Sequence, residues 1–422
     1  MRIFKKPNPV LVACLVMTAM GVPGVLERIA FGQPATPQPI PWGLWIAAYT
    51  FFSGISAGAY TVAALAYAFD YRRFRPLVPF ALLVSTVALI TAVVFVLADL
   101  GHPERSFHIA MRPNVRSMMA WVIIMYNVFG IALISMLVAV LRPEWAKRAA
   151  KTGGRIPKLL SLGYVHGSEE PYADSLLLKV MSIVGLACAL GLGGGVGALF
   201  SVLGGRAFWH SGLFPITFMV SALLSGLSFV LGGASLMGRG GNAFKGTLLI
   251  LGRLIGYLLA VELVILPAET LIVISGAIPS HINVLKAIGA GPYPWVFWGL
   301  QVGVGMFAAL LLIFLPKRAS LAAVSVASMC VLVGVFAFRL NFVIPQLAMG
   351  DFAVSDGHAL YMPDLVEWSL VVFGFGLAGT LLFIGSKVLP VFSGNTPIDF
   401  ELAARWVARP WSGLLRHQQE WR

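Results

Sequence analysis

Four ionisable side chains fall inside long apolar runs of this sequence, where a charge is costly and therefore a candidate for function. Glu262 and Glu269 stand seven residues apart, on one face of a helix, with Pro267 between them as an expected kink. Arg253 lies close enough to the end of the same run to snorkel to the surface. Arg339, with Asn341 two residues on, sits about two turns inside another run. Such groups either hold a bundle together as buried ion pairs or pass protons between the bilayer centre and one surface.

A second constellation reads Ala98-Asp99-Leu100-Gly101-His102-Pro103-Glu104-Arg105-Ser106-Phe107-His108, followed by Arg112, Asn114, Arg116 and Ser117-Met118-Met119-Ala120-Trp121. A solvated loop has this composition. So does a docking surface whose carboxyl and imidazole groups exchange protons with a bound carrier. A third is Trp45 and Tyr49, four residues apart on one helical face, followed by Ser53, Gly54, Ala57 and Gly58. The small residues permit close helix contact. An interfacial aromatic belt accounts for Trp42, but less well for Tyr49, which is one to two turns deeper.

The elements that must carry these residues follow from composition. Of 422 residues 59% are apolar and 11% charged, where a soluble domain carries about 25% charge, so the chain is expected to be an all-α polytopic membrane protein. Ten apolar stretches are long enough to cross about 30 Å of hydrocarbon: 9–26, 43–69, 77–98, 118–141, 177–203, 213–237, 247–277, 295–315, 321–345 and 365–389. With the N-terminus inside, 22 of the 30 Lys and Arg fall on the cytoplasmic side. Six fall outside (Arg28, Arg105, Arg112, Arg116, Arg206, Lys286), while Arg253 and Arg339 stay within helices. That bias puts both termini in the cytoplasm and reads the net charge of +13 as cytoplasmic loops facing anionic lipid rather than nucleic acid.

The segment 142–176 reads as a basic cytoplasmic loop. The tail from Ile398 alternates Phe400, Leu402, Trp406, Val407 and Leu414 with Arg405, Arg409 and Arg416, as an interfacial anchor helix does. Leu11-Val12-Ala13-Cys14 superficially matches a lipoprotein cleavage box, but the apolar run continues past Cys14, which predicts an uncleaved first helix. Phe51-Phe52-Ser53-Gly54-Ile55-Ser56 is echoed by Leu223-Leu224-Ser225-Gly226-Leu227-Ser228, so helices 2–5 and 6–9 read as two parallel four-helix repeats.

Cys14, Cys188 and Cys330 are scattered without CxxC spacing, which encodes no disulfide framework, zinc site or iron–sulfur cluster. All seven His fall in loops or at helix ends, so no haem ligand pair is expected. No GxxxxGK[ST] loop is present. If the chain takes part in electron transfer, a partner supplies the metals and a diffusible carrier binds here.

With these residues in view the chain resembles the NrfD/PsrC family, the quinone-interacting membrane subunits of polysulfide-reductase-type complexes. The resemblance rests on Trp45-x-x-x-Tyr49-x-x-x-Ser53-Gly54-x-Ser56-Ala57-Gly58, on Asp99-Leu100-Gly101-His102-Pro103-x-Arg105 and on Ser117-Met118-x-x-Trp121. It continues through Arg206-Ala207-Phe208-Trp209-His210, Ser221-Ala222-Leu223-Leu224-Ser225-Gly226, Arg339-Leu340-Asn341-Phe342-Val343-Ile344 and Tyr361-Met362-Pro363-x-x-x-Glu367. Ten helices are similar to the longer branch, with the DsrP-, QrcD- and ActC-type and hydrogenase membrane subunits.

The resemblance implies a first four-helix bundle over 42–204 and a second over 205–346, flanked by an N-terminal helix and outer loop in 1–41 and by a last helix and amphipathic tail in 347–422. It further implies a menaquinone or ubiquinone site near the outer face and no haem in this chain. The partners it implies are a ferredoxin-like iron–sulfur subunit on the periplasmic face and further redox subunits, such as a molybdopterin or multihaem cytochrome c protein. The setting is the bacterial inner membrane. Carried onto this sequence, the carrier site gathers Trp45, Tyr49, Gly54, Asp99, His102, Arg105, His108, Ser117, Gly195 and His210, with no metal ligands. Where polysulfide-reductase subunits have an Asn and a His, this chain has Trp45 and Tyr49, and their pocket Tyr would fall near Gly195. The proton-exchanging group is thereby left open among Tyr49, Asp99, His102 and His210, the first three expected to be catalytic. A proton route through Arg253, Glu262, Glu269, Arg339 and Glu367 would make turnover electrogenic. A secondary transporter and a purely structural anchor of a peripheral oxidoreductase are the competing readings.

Overall fold

The computed structural model describes residues 9–31, 43–100, 105–106, 108–153, 155–161, 176–203, 207–237, 241–291, 294–315, 320–348 and 363–391. Among these residues the chain is helical throughout: α1 (Pro9–Phe31), α2 (Trp45–Tyr67), α3 (Val78–Asp99), α4 (His108–Met111), α5 (Met118–Thr152), α6 (Arg155–Leu160) and α7 (Leu176–Ser201). The second half adds α8 (Phe214–Met237), α9 (Asn242–Gly276), α10 (Pro279–Gly289), α11 (Trp295–Phe314), α12 (Leu321–Ala348) and α13 (Leu365–Val388). The first fourteen residues of α11 are wound as a π-helix.

Nine of the described helices are long and apolar enough to cross a membrane. The expected tenth, α2, is 23 residues long but rich in Ala, Gly, Ser and Thr. Its position explains that composition, because every residue of α2 except Leu65 and Tyr67 is buried, so it has no wide lipid-facing stripe. The chain is thus a multi-pass, all-α membrane protein. The apolar runs locate the helices well but underestimate α5, which continues past Pro143 through the good helix formers Glu144 to Lys151 and stops at Gly153, whose φ of 61° is a left-handed C-cap. Likewise α9 begins at Asn242, five residues before the apolar stretch.

Packing repeats itself along the chain. In the first half α2 packs on α3 and α7, and α5 packs on α7; in the second half α8 packs on α9 and α12, and α11 packs on α12. The halves meet where α2 lies against α8, and α1 pairs with α13 alongside α3. Hydroxyl groups stitch the first half together: Ser56 and Ser85 each donate to the other's carbonyl oxygen at 2.8 Å, and the Tyr60 hydroxyl donates to the Met181 carbonyl at 2.7 Å. In a bilayer such internal partners replace the water that a soluble bundle would use.

The α2–α8 contact runs backbone to backbone. A Cβ at Gly58 would sit 2.1 Å from the Ala222 carbonyl oxygen, and one at Gly226 would sit 2.2 Å from the Ala59 nitrogen. At Gly54 a Cβ would meet the Ser225 Oγ at 3.2 Å and the Ala222 Cα at 3.3 Å, a milder crowding that shifts of a few tenths of an ångström relieve. Gly58→Ala should therefore destabilise the protein by about 1–3 kcal/mol, the usual range for overpacking, and Gly54→Ala by distinctly less. Thermal unfolding of the two variants in one detergent checks the order.

Candidate functional site

Two polar clusters lie inside the apolar bundle, one beside α2 in the first half of the chain and one beside α8 in the second. The first begins at the start of α2, which is tied down from α13. Asp364 and Glu367 form a capping box, with the Glu367 N–H donating to Asp364 Oδ1 at 2.7 Å and the Asp364 N–H to Glu367 Oε2 at 3.2 Å. The other Glu367 oxygen accepts the Leu44 N–H at 3.3 Å. The first turn of α2 is thereby fixed, with Trp45 and Tyr49 both buried on it.

Tyr126 arrives beside them from α5. Its ring centroid is 6.4 Å from that of Tyr49, with the planes 31° apart, and its hydroxyl donates to Ser53 Oγ at 2.7 Å. The glycine run of α7 lets α5 come this close, since a Cβ at Gly195 would touch Val122 and one at Gly191 would press on the Met125 sulfur. The close approach requires glycine at Gly191, whereas a Cβ at Gly195 would make only an ordinary contact. Two phenols and a serine hydroxyl, all within helices, form a hydrogen-bonding group beneath Trp45 from which bulk water is excluded. Such a group can bind and orient a polar ring, and can hold or pass a proton at a phenol oxygen.

The second cluster belongs to α8, α9, α11 and α12. Arg339 is 1% exposed; its Nη2 donates to Ser221 Oγ at 2.7 Å, and the guanidinium lies 3.9 Å from the Phe218 ring centroid and 5.0 Å from that of Phe338. Its Nε and Nη1 have no hydrogen-bond partner among the described residues, and neither has Oε2 of the buried Glu262. The two charged groups feel each other electrostatically without a direct hydrogen bond. Glu262, Ser221 and Gln301 supply the polar walls of a cavity of about 20 Å³. Gln301 accepts from Asn341 Nδ2 at 2.7 Å, and two turns along α9 from Glu262 the Glu269 carboxylate accepts a hydrogen bond from the Thr217 hydroxyl.

The sequence-predicted residues divide accordingly. Trp45 and Tyr49 come together, and so do Glu262 and Arg339, with Glu269 nearby. Glu367 acts as a cap that positions α2. Gly54 faces Ser225 of α8. Arg253 is half-buried on α9, about 13 Å along the helix from Glu262. Arg105 and His108 are exposed near α4, and Ser117 is the N-cap residue of α5 without a side-chain cap bond. Asp99 closes α3, while its side chain, and His102 altogether, lie outside the described residues. His210 is exposed, and its Nδ1 lies 2.7 Å from the Ser201 carbonyl oxygen, so that nitrogen carries the hydrogen. His281 on α10 is electrostatically coupled to it. The 142–176 segment is described only in part, through α5 and α6, and the tail from Ile398 falls outside the described residues.

Tyr126, Gln301, Ser221 and Thr217 were not anticipated as site residues. Gln301 carried a signal, being the one amide in the apolar run 295–315, and Tyr126-Asn127 interrupts 118–141 in the same way. Ser221 and Thr217 are ordinary helix residues whose role appears only from what faces them.

The family model described as "Polysulphide reductase, NrfD" matches residues 32–349. The chain is 31% identical over 393 residues to a subunit of the selenate reductase of Mesobacillus selenatarsenatis, covering 89% of this chain and 92% of the relative. It is 24% identical over 396 residues to the Hdr-like menaquinol oxidoreductase integral membrane subunit of Archaeoglobus fulgidus, covering 88% and 90%. To the integral membrane subunit of menaquinone reductase from Nitratidesulfovibrio vulgaris it is 22% identical over 374 residues, covering 85% of each.

Two outcomes follow from these contacts. Glu367→Ala removes the side-chain half of the α13 capping box and the Leu44 bond together, a loss of about 1 kcal/mol for each bond, while the Asp364 N-cap bond to the residue 367 N–H remains; hydrogen exchange should accelerate at Leu44–Ala48 and at the start of α13 and stay unchanged at the start of α9. Burial, aided by His210, holds the His281 imidazole below its ordinary value of 6.5. The unfolded chain therefore takes up that proton more readily, and the contribution of neutral His281 is complete above pH 6.5 and lost as the pH falls below it. Thermal unfolding across that interval should show a smaller acid loss for His281→Gln than for the parent chain.

Proposed function

This chain belongs to the polysulphide reductase NrfD family, and from that premise we propose that it is the quinone-interacting membrane subunit of a respiratory redox complex. The names of two relatives, a menaquinol oxidoreductase subunit and a menaquinone reductase subunit, support menaquinone as the carrier, with ubiquinone as the chemical alternative. Residues 42–204 and 205–346 are taken as its two bundles. The positive charge near Arg72–Arg75, Arg142–Lys158 and Lys179 supports reading that side as the cytoplasmic one of an inner membrane, with both termini there. The half with Tyr49 and α4 then faces outward.

The single observation that carries the reading is the Tyr49–Tyr126–Ser53 group. Its donor set fits a quinone: two phenol hydroxyls suit carbonyl oxygens, the faces of Trp45 and Tyr49 suit a flat ring, and Gly195 leaves the neighbouring wall without a side chain. When bound, such a carrier supplies two-electron, two-proton chemistry at one ring. The protein's part is to orient and to move protons. Tyr49 donates toward a ring oxygen, Tyr126 stands behind it as the next proton donor once its hydroxyl turns from Ser53, Ser53 relays by passing on its own proton as it accepts one, and the apolar bundle keeps bulk water away. Asp99 and His102 are taken, from the sequence, as the next groups in the proton line. Arg105, His108, Ser117 and His210 belong to the face where an iron–sulfur subunit docks and beyond which further redox subunits continue the electron path.

Acid–base groups contribute typically 10²–10⁴-fold to rate. In the intact complex, Tyr126→Phe should lower quinol-linked turnover by at least about tenfold, and Tyr49→Phe should lower it similarly while the iron–sulfur partner still co-purifies. Unchanged turnover in both variants would contradict the reading, as would substrate uptake by the isolated chain in liposomes.

A further inference from the structure

The register of the internal echo, with Ser53 matching Ser225, places Thr217 and Ser221 of α8 where α2 has Trp45 and Tyr49. Those two positions hold the second cluster: Ser221 receives the Arg339 hydrogen bond and Thr217 donates to Glu269. The first helix of one half presents aromatic rings at these positions, and its counterpart presents hydroxyls to charged groups. We infer that the cavity between α8, α9, α11 and α12 is a proton-loading site. In it Glu262 takes up and releases a proton through a water held between Glu262, Ser221 and Gln301, and it reaches the α10 end through Thr217 and Glu269. This inference deepens the carrier reading above by giving the protons exchanged at the ring a storage site in the other half.

Three observations carry it. The cavity, at about 20 Å³, exceeds the 10–15 Å³ that one water requires, and it offers a carboxylate, a hydroxyl and an amide as partners. The cavity-lining Glu262 carries a buried carboxylate oxygen without a hydrogen-bond partner among the described residues, which a bound water satisfies and which is otherwise costly. Arg339 cannot lose its charge readily, and Phe218 and Phe338 hold it in place, so Glu262 is the member of the pair whose protonation can change. The groups around Glu262 are Arg339 from α12, Ser221 from α8, Gln301 from α11 and Glu269 on its own helix, with Asn341 of α12 bonded to Gln301 and Thr217 of α8 bonded to Glu269.

Access is one-sided. Toward the α10 end the next polar groups are Glu269 and Thr217, then His210 and His281. Toward Arg253 the α9 face is dry: a Cβ at Gly256 would sit 2.6 Å from the Phe314 ring, and one at Gly252 would sit 2.1 Å from Val324. Arg253, expected from the sequence to feed Glu262, is separated from it by this packing.

The test is pH-induced infrared difference spectroscopy of the intact complex in membranes, which needs no turnover. A buried carboxylic-acid C=O band should appear as the pH is lowered, be lost in Glu262→Gln, and shift in Glu262→Asp if the Gln variant does not assemble. After mixing with D₂O its isotope shift should develop at least about tenfold more slowly in Glu269→Gln and at the parent rate in Arg253→Gln. The inference is overturned if no such band appears, if the band survives unshifted in the Glu262 variants, or if Arg253→Gln slows exchange and Glu269→Gln does not. Because the spectra require no carrier, these results stand apart from the turnover of the Tyr49 and Tyr126 variants, and either reading can fail alone.

Discussion

The contact of α2 with α8 at Gly58 and Gly226 is the constraint on which the rest of the bundle depends. Lipid tails are as apolar as leucine, so helices in a bilayer do not associate by hiding oily surface; they associate where backbones approach closely and polar groups find one another. Two helices that touch through glycine have no room for error in register. Once α2 and α8 are locked, the neighbours that pack on each of them are fixed in turn, and the two halves take up similar arrangements around the seam.

Within that arrangement the same helical positions have been put to different use. Beside α2 the space is filled by large rings, and α7 answers with glycines where α5 must come near. Beside α8 the side chains are short hydroxyls, and α12 answers with the long, charged Arg339. The exchange of large for small across the seam keeps both halves packed while placing hydrogen-bonding aromatics in one and a charge pair with a cavity in the other.

Much of this was legible in the residues. Apolar length gave the helices, because the bilayer imposes one thickness on all of them; the echo between Ser53-Gly54 and Ser225-Gly226 was read as a repeat, and the structure adds that the two helices carrying it meet. Glu262 and Arg339 stood out because charge inside an apolar run needs a reason. The family was recognisable from ordered motifs, and the match over residues 32–349 bears it out. What stayed hidden was partnership. Glu367 resembled a proton carrier in sequence, yet its carboxylate is engaged by the backbone at two helix starts. Tyr126 and Ser221 become site residues only through what another helix brings beside them. The ends of α5 and α9 were missed because charged, helix-forming residues extend a helix without extending its hydropathy.

The most direct measurement is photo-crosslinking of an azido-quinone to the intact complex, with the adducts mapped by peptide mass spectrometry. The account predicts adducts on α2 between Trp45 and Ser53 and on α5 around Tyr126, suppressed by excess native quinone. Adducts confined to α8–α12, or labelling of α2 and α5 that excess quinone leaves unchanged, would contradict it.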